Sequence, residues 1–389
     1  MNNWKKVTLN DIGKIVTGKT PKTKNTEFWN GGIPFVTPAD LQKSKHIFST
    51  ERTVSHIGLN SVKGATLPAG AVCVSCIGNL GYTALTTQKS VSNQQINSII
   101  PNSDFDNDFV YYLMKSLWDE FKNLEGQSTT LSILNKTLFS KIEVLVPEKV
   151  TQQRIAQLLS SLDDKIELNA QINHNLEEQL YALYASNYDN LSGKKVPLKE
   201  CCSFQEGYVN PTQTKPEYFD GSVKWLRAVD INESFIISTS RTLTEQGFAS
   251  AGKSALLFPK DSIAISKSGT IGRLGIVADN MCGNRAVINI VPKQKKWLAF
   301  IYCYLKSRQA EFSDLAVGSV QKNLYVSILE PLEIFSPADS VLNDFHFSAQ
   351  TILEKMKNNC FEMQSLAQLR DALLPKLMSG EIDVSEVEV

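Results

Sequence analysis

Val72-Cys-Val-Ser-Cys-Ile-Gly-Asn-Leu-Gly81 recurs as Ile263-Ala-Ile-Ser-Lys-Ser-Gly-Thr-Ile-Gly272. Apolar residues and glycines keep their places while polar residues change, the mark of one backbone carrying two surfaces. The correspondence extends outward at a displacement of 189 to 191 residues. Val7-Thr-Leu-Asn-Asp-Ile, with Gly18 beyond it, matches Val196-Pro-Leu-Lys-Glu-Cys with Gly207. Phe28-Trp-Asn-Gly-Gly-Ile-Pro-Phe-Val, running on to Asp40-Leu41, matches Tyr218-Phe-Asp-Gly-Ser-Val-Lys-Trp-Leu, running on to Asp230-Ile231. Asn93-Gln-Gln-Ile matches Asn284-Arg-Ala-Val. The chain is one unit written twice.

Each copy reads as mixed α and β. Short alternating runs at 71–77 and 262–266 predict strands, and apolar residues at helical spacing predict helices over 110–121 and 298–312. Several motifs in these blocks imitate chemistry. Gly13-Lys-Ile-Val-Thr-Gly18-Lys19-Thr20 fits GxxxxGK[ST], but Pro21 and a polar run follow where a phosphate-binding loop opens a helix. Its counterpart at 202–209 lacks the Lys and Thr, so a strand and a basic turn are expected. Gly269, Gly272 and Gly275 read as a strand turn, and Asn210-Pro211-Thr212 is too short to count as a methyltransferase motif. Cys73 and Cys76 form a lone CxxC whose counterparts are Ala264 and Lys267, and the four histidines form no ligand cluster. No metal site and no catalytic residue are expected.

Between and after the copies the apolar period changes to seven. Ile155, Leu162, Asn169, Leu176 and Leu183 share one heptad position, with Leu159, Ile166 and Leu180 on the neighbouring stripe. Phe345, Ile352, Asn359, Leu366 and Leu373 repeat the pattern, with Met356 and Met363 beside them. A sustained heptad predicts a long helix packed on another, about 57 Å for some 38 residues. A single Asn in each stripe fixes register at a cost in stability. The expectation is an antiparallel pair with Asn169 close to Asn359. Pro375 is expected to kink or stop the second helix, and Gly380 to terminate it.

Zero net charge first argues against a polyanionic partner, yet the charge alternates along the chain. Residues 1–147 carry a net +4, 148–190 −4, 191–337 +5 and 338–389 −5. No acidic residue occurs between Arg52 and Ser103. Two basic blocks, each followed by an acidic one, suit a nucleic acid on the former and partners on the latter. The N-terminus lacks a signal-peptide core and no run is long enough to span a membrane, so a cytoplasmic protein is expected.

The repeat, the Gln153-Arg-Ile-Ala…Leu162-Asp-Asp-Lys-Ile166 opening of the first helix and the Leu369-Arg-Asp-Ala-Leu-Leu-Pro-Lys-Leu-Met-Ser-Gly-Glu-Ile382 ending together resemble the DNA specificity subunits of type I restriction–modification systems. So do Phe28–Leu41 and Ser266-Lys-Ser-Gly-Thr-Ile-Gly-Arg-Leu-Gly275. The resemblance covers nearly the whole chain. It implies an α+β protein: two pseudo-repeated mixed α/β target recognition domains, 1–147 and 191–337. They would be joined by a central conserved helix (148–190) and a distal helix with its tail (338–389), pairing as an antiparallel coiled coil. It further implies an asymmetric bipartite target in double-stranded DNA, helices acting as a ruler, and docking of two methyltransferase subunits and of restriction subunits. S-adenosylmethionine, ATP and Mg would belong to those partners, with no cofactor on this chain. The other reading of the same residues is an orphan assembly subunit without active methylation.

Polar and basic loop residues are the candidates for DNA contact. In the first domain they are Lys19, Lys22, Lys24, Asn79, Tyr82, Asn93, Gln94, Gln95 and Lys136. In the second they are Tyr208, Arg227, Lys267, Thr270, Arg273, Asn284, Arg285, Lys322 and Asn323. Lysines suit phosphates, whereas Arg, Asn and Gln can grip base edges with two hydrogen bonds. Asn93 and Asn284 read equally as turn residues.

Overall fold

The computed structural model describes residues 4–126, 133–188, 194–232, 234–318 and 321–385. The expected boundary at 190/191 and the chain end from 386 lie outside them. The chain divides into two compact units, Met1–Ile166 with Ser365–Val389, and Glu167–Gln364. Each holds one copy of the repeat and a stretch of both long helices.

In the first unit a five-stranded sheet runs in the order Gly13–Thr17, Ile96–Pro101, Val72–Ser75, Thr83–Thr86, His46–Ile47. Only the last pairing is parallel. A four-stranded sheet runs Thr53–Val54, Trp29–Val36, Ser90–Ser92, Thr66–Leu67, and Lys5–Thr8 pairs with Glu143–Val146. The second unit repeats this strand for strand. Its five-stranded sheet runs Cys202–Glu206, Val287–Pro292, Ile263–Ser266, Leu274–Val277, Phe235–Ile236. Its four-stranded sheet runs Thr242–Leu243, Phe219–Leu226, Met281–Gly283, Leu257–Phe258, and Lys195–Pro197 pairs with Glu333–Phe335. The sequence repeat is therefore a repeat of fold.

Both faces of the central strands are covered, so Val72–Ser75 and Ile263–Ser266 are buried at every position. Helices cover one face. Asn107–Ser116 starts where Asp106 accepts a hydrogen bond from the Phe109 amide at 2.9 Å, and it buries the whole run from Phe109 to Met114. Each large side chain so removed from water contributes about 1.5–3 kcal/mol. The helices expected over 110–121 and 298–312 are each broken. The first ends at Ser116 and a second helix, Trp118–Gly126, follows. Its counterpart Trp297–Ser307 gives way to a 3-10 turn and then Phe312–Leu315. The breaks fold Phe121 onto Gly81 and Phe312 onto Gly272, both glycines at positive φ (91° and 85°) in the hairpin turns below.

The two long helices are Lys149–Tyr188 and Asp339–Met378, each of 40 residues. Pro375 neither stops nor ends the distal helix, which continues to Met378. The missing amide at 375 frees only one carbonyl near the helix end, and Pro375 itself is exposed, so water can serve that carbonyl. Gly380, at φ 72°, supplies the expected termination.

Within the second unit the helix stretches run antiparallel. As the central helix advances from Asn169 through Asn173 to Tyr184, its partners retreat from Glu362 through Asn359 to Phe345. The buried Asn359 bonds Asn173 rather than Asn169: its Nδ2 donates to Asn173 Oδ1 at 2.8 Å. Asn173 Nδ2 donates in turn to the Met356 carbonyl at 3.0 Å, and Asn169 Nδ2 to Glu362 at 2.9 Å. The expected Asn169–Asn359 pairing is thus corrected by one turn. Asn173 lies on the stripe of Leu159, Ile166 and Leu180, where a search for apolar residues passes over it. Of the expected seam, Ile155, Asn169, Phe345 and Asn359 are buried, while Leu162, Leu176, Leu183, Ile352, Leu366 and Leu373 are half-buried. In an antiparallel pair the buried stripe drifts toward Leu353, Cys360 and Tyr184.

In the first unit Arg370 of the distal helix meets Asp163 of the central helix at 2.5 Å. Asp163 also accepts from the Tyr112 hydroxyl at 2.7 Å. Tyr302, the repeat equivalent of Tyr112, donates to Glu177, which further receives Ser234 at 3.0 Å and Lys306 at 3.4 Å. Each domain is thus tied to the central helix by a buried tyrosine on a carboxylate. Burial, and then the Glu177 charge, pushes the Tyr302 phenol well above its ordinary range.

Candidate nucleic-acid interface

In the first domain the strands Gly13–Thr17, Val72–Ser75, Thr83–Thr86 and Ile96–Pro101 all reach one end of the five-stranded sheet, in the register Thr17–Asn97, Ser75–Ile96 and Val74–Thr83. Three connections leave from that end: the segment after Thr17, the hairpin turn 76–82 and the turn 93–95. A backbone crossing locks two of them together. The Lys19 amide donates to the Ser92 carbonyl at 2.8 Å, and a Cβ on Gly18 would stand 1.9 Å from the Asn93 oxygen. Only glycine allows that approach. Thr20 Oγ1 donates to Gln94 Oε1 at 2.6 Å across the same crossing. Segment 133–136 joins them, since the Leu134 amide donates to the Cys76 carbonyl at 2.8 Å.

The structure therefore gathers Lys19, Asn79, Gln94, Gln95 and Lys136 at one end of the sheet. Lys19, Lys22, Lys24, Asn79, Gln94 and Lys136 are exposed. Ion pairs among the described residues of this domain include Lys6–Glu143, Lys43–Asp40 and Lys45–Asp108, away from this end. Tyr82 packs against Trp118, ring centroids 5.3 Å apart and the rings tilted by 58°. Asn93 is a turn residue: its Oδ1 accepts from the Gln95 amide at 3.1 Å and its Nδ2 donates to Gln95 Oε1 at 2.9 Å.

The second domain builds the same end from different residues. The Gly207 amide donates to the Val287 carbonyl at 3.0 Å, and a Cβ there would stand 2.1 Å from the Asn284 oxygen. The Leu324 amide donates to the Lys267 carbonyl at 2.9 Å. Tyr208, Thr270, Arg285 and Lys322 are exposed on these connections. Asn284 is again a turn residue, accepting from the Ala286 amide at 3.0 Å, and Asn323 Nδ2 donates to the Gln321 carbonyl at 3.1 Å.

Three cations of the second set are engaged within the protein. Lys267 is paired with Glu206 at 3.0 Å, lies 4.9 Å from the Tyr325 ring centre, and its side chain is only 15% exposed. Arg227 reaches Ser240 at 2.5 Å and Asp230 at 3.7 Å. Arg273 bonds Asn232 at 3.1 Å and lines a cavity of about 440 Å³ with His174, Glu177 and Lys306, apart from Lys267 and Tyr208. Sequence reasoning missed Glu206 and Tyr325. The signal was a carboxylate directly before Gly207, where the first copy has Thr17 before Gly18 by one residue.

All seven cysteines are buried, and none of them forms a disulfide. Burial pushes the Cys73 and Cys76 thiols up to about 12. The GxxxxGK[ST] match is the strand Gly13–Thr17 and its exit, with a short helix before it rather than after. Among the described residues no helix is long and apolar enough to cross a membrane.

Comparison with known proteins agrees with this arrangement. The profile of the type I restriction modification DNA specificity domain matches twice, over residues 1–178 and 193–361. The chain is 28% identical over 414 residues to the type I restriction enzyme MjaIX specificity subunit of Methanocaldococcus jannaschii, covering 99% of this chain and 95% of that protein. It is 34% identical over 171 residues to the HindI specificity subunit of Haemophilus influenzae, 42% of this chain and 37% of that one. Among solved structures, the type I restriction–modification S subunit from M. genitalium superimposes with a TM-score of 0.57 at 17% identity, covering 96% of both chains.

Proposed function

Because the chain belongs to the type I restriction–modification DNA specificity family and carries that family's domain twice, we propose that it reads an asymmetric bipartite target in double-stranded DNA. One observation carries the proposal: a single backbone frame presents two different sets of side chains at the same sheet end. Thr17, Lys19, Asn79 and Gln94 of the first domain stand where the second has Glu206, Tyr208, Thr270 and Arg285. Two unlike readers on one frame suit two unlike half-sites. Exposed Lys19, Lys22, Lys24, Lys136 and Lys322 hold phosphates; Asn79, Gln94, Gln95 and Arg285 reach base edges.

The long helices set the spacer and receive two methyltransferase subunits, with restriction subunits joining that core. Phe347, 80% exposed on the distal helix, supports a partner surface, since a solvated phenylalanine forgoes its burial energy. Catalysis, S-adenosylmethionine, ATP and Mg belong to those partners in the cytoplasm. The test is a genome-wide map of N6-methyladenine in cells co-expressing this chain with its methyltransferase subunit. Methylation at a bipartite motif of fixed spacer, lost when this chain is omitted, is expected. A stable complex with no motif would instead make the chain an orphan scaffold.

A further inference from the structure

Glu206 ends the strand Cys202–Glu206 at the sheet end where the connections gather. One carboxylate oxygen faces Lys267 Nζ at 3.0 Å, and the other accepts from the Tyr208 hydroxyl. Its side chain is 20% exposed, and Tyr208 beside it is 53% exposed. A carboxylate on a surface that must approach phosphates is unfavourable unless something compensates it. Here burial works against the charge, but the hydrogen bonds from Tyr208 and Lys267 outweigh it and hold the carboxyl below its ordinary range. At neutral pH the group is an acceptor only.

A role in holding the fold does not account for it. The first domain closes the same crossing, Gly18 amide to Ile96 carbonyl and Leu134 amide to Cys76 carbonyl, with Thr17 and Cys76 in place of Glu206 and Lys267. The frame thus forms without the ion pair. The pair also consumes the Lys267 charge that would otherwise serve a phosphate. What remains is a fixed acceptor with free lone pairs, flanked by Tyr208, while Lys267 beside it lies over the Tyr325 ring.

We propose that Glu206 is a specificity determinant, reading a base that offers an exocyclic amino group in the major groove of the second half-site. Cytosine N4 and adenine N6 present that donor; Lys267 and Tyr208 position the carboxylate. The inference rests on the proposed DNA-reading function and deepens it for one position.

The experiment is the same methylation map, with the full chain and its methyltransferase subunit, comparing wild type with Glu206→Gln and Glu206→Asp. The wild-type map shows whether the amino base is cytosine or adenine. Gln keeps the size but adds donors, so one position in one half-site should lose its preference by about tenfold or more. Asp keeps the charge but withdraws it by one methylene, and should weaken the same position. The other half-site should stay unchanged. Both variants should melt with wild type, because the first domain shows that the frame closes without this group. Wild-type motifs from both variants would overturn the inference. So would equal relaxation of both half-sites, or a melting temperature lowered by more than about 5 °C, which would assign Glu206 to the frame. A wild-type chain that directs no bipartite motif would remove the DNA-reading function itself, a distinct outcome.

Discussion

Replacing Tyr302 by Phe removes one oxygen and almost nothing else. The Tyr302 side chain is fully buried and its hydroxyl donates to Glu177, which keeps Ser234 at 3.0 Å and Lys306 at 3.4 Å. A hydrogen bond to a charged group is worth about 1.5–3 kcal/mol, and the ring still fills its site. Because the two partners left to Glu177 prevent an orphaned charge, the expected loss is about 2 kcal/mol, in the lower half of that range. For a unit of this size that lowers the midpoint by roughly 4–8 °C. Calorimetry on the full chain, with Glu177→Gln and the double variant, checks it. Glu177→Gln frees Lys306, which at 28% exposure can turn to water, so the cycle should return a coupling of about 1–2 kcal/mol. A Tyr302→Phe midpoint within about 1 °C of wild type, or a coupling near zero, would refute the claim that this bond ties domain to helix.

Other consequences follow from buried groups. Asn359→Leu alone should destabilise the helix pair by about 1–3 kcal/mol, because Asn173 Oδ1 loses its donor inside the seam; Asn173→Leu with Asn359→Leu should recover most of that loss in a chemical denaturation series. The Cys73, Cys76, Cys202 and Cys282 thiols are pushed by burial up to about 12 from 9.0, so the fold favours their neutral form. Their contribution to stability is complete below about pH 9 and is lost as pH rises toward 12. A thiol reagent at pH 8 should therefore label the native chain slowly and all seven cysteines once urea unfolds it.

The repeat was legible because glycines and apolar residues answer to backbone geometry, which both copies share. The long helices were legible because a heptad is a period that only a helix seam explains. What the sequence concealed depended on contacts between distant segments. Whether the 110–121 run is one helix or two rests on Phe121 closing over Gly81, a contact across 40 positions. The partner of Asn359 depends on antiparallel register, and periodicity alone leaves register open by a turn. Lys267 reads as a free cation until the strand carrying Glu206 is seen beside it.

With two copies on one frame, the chain supplies its own comparison, and it sorts the candidate residues. Ser75 bonds the Asn79 carbonyl and the Tyr82 amide; Ser266 bonds the Thr270 carbonyl and the Arg273 amide. Asp40 accepts from the Thr37 amide and Asp230 from the Arg227 amide, each at 2.9 Å. Asn93 and Asn284 make the same turn. In each of these three pairs the polar residue kept by both copies serves the backbone both times. Identity between the copies therefore argues against a role in reading sequence, since two half-sites that differ cannot be read by residues that do not. Asn93 and Asn284 belong to the frame on that ground, as their hydrogen bonds show. On the proposed function, the positions left to discriminate are those at the sheet end where the frame persists and the accessible chemistry changes: Thr17 against Glu206, Lys19 against Tyr208, Asn79 against Thr270, Gln94 against Arg285. Exchanging these four residues between copies, with every frame residue kept, should move base preference from one half-site to the other without moving the spacer.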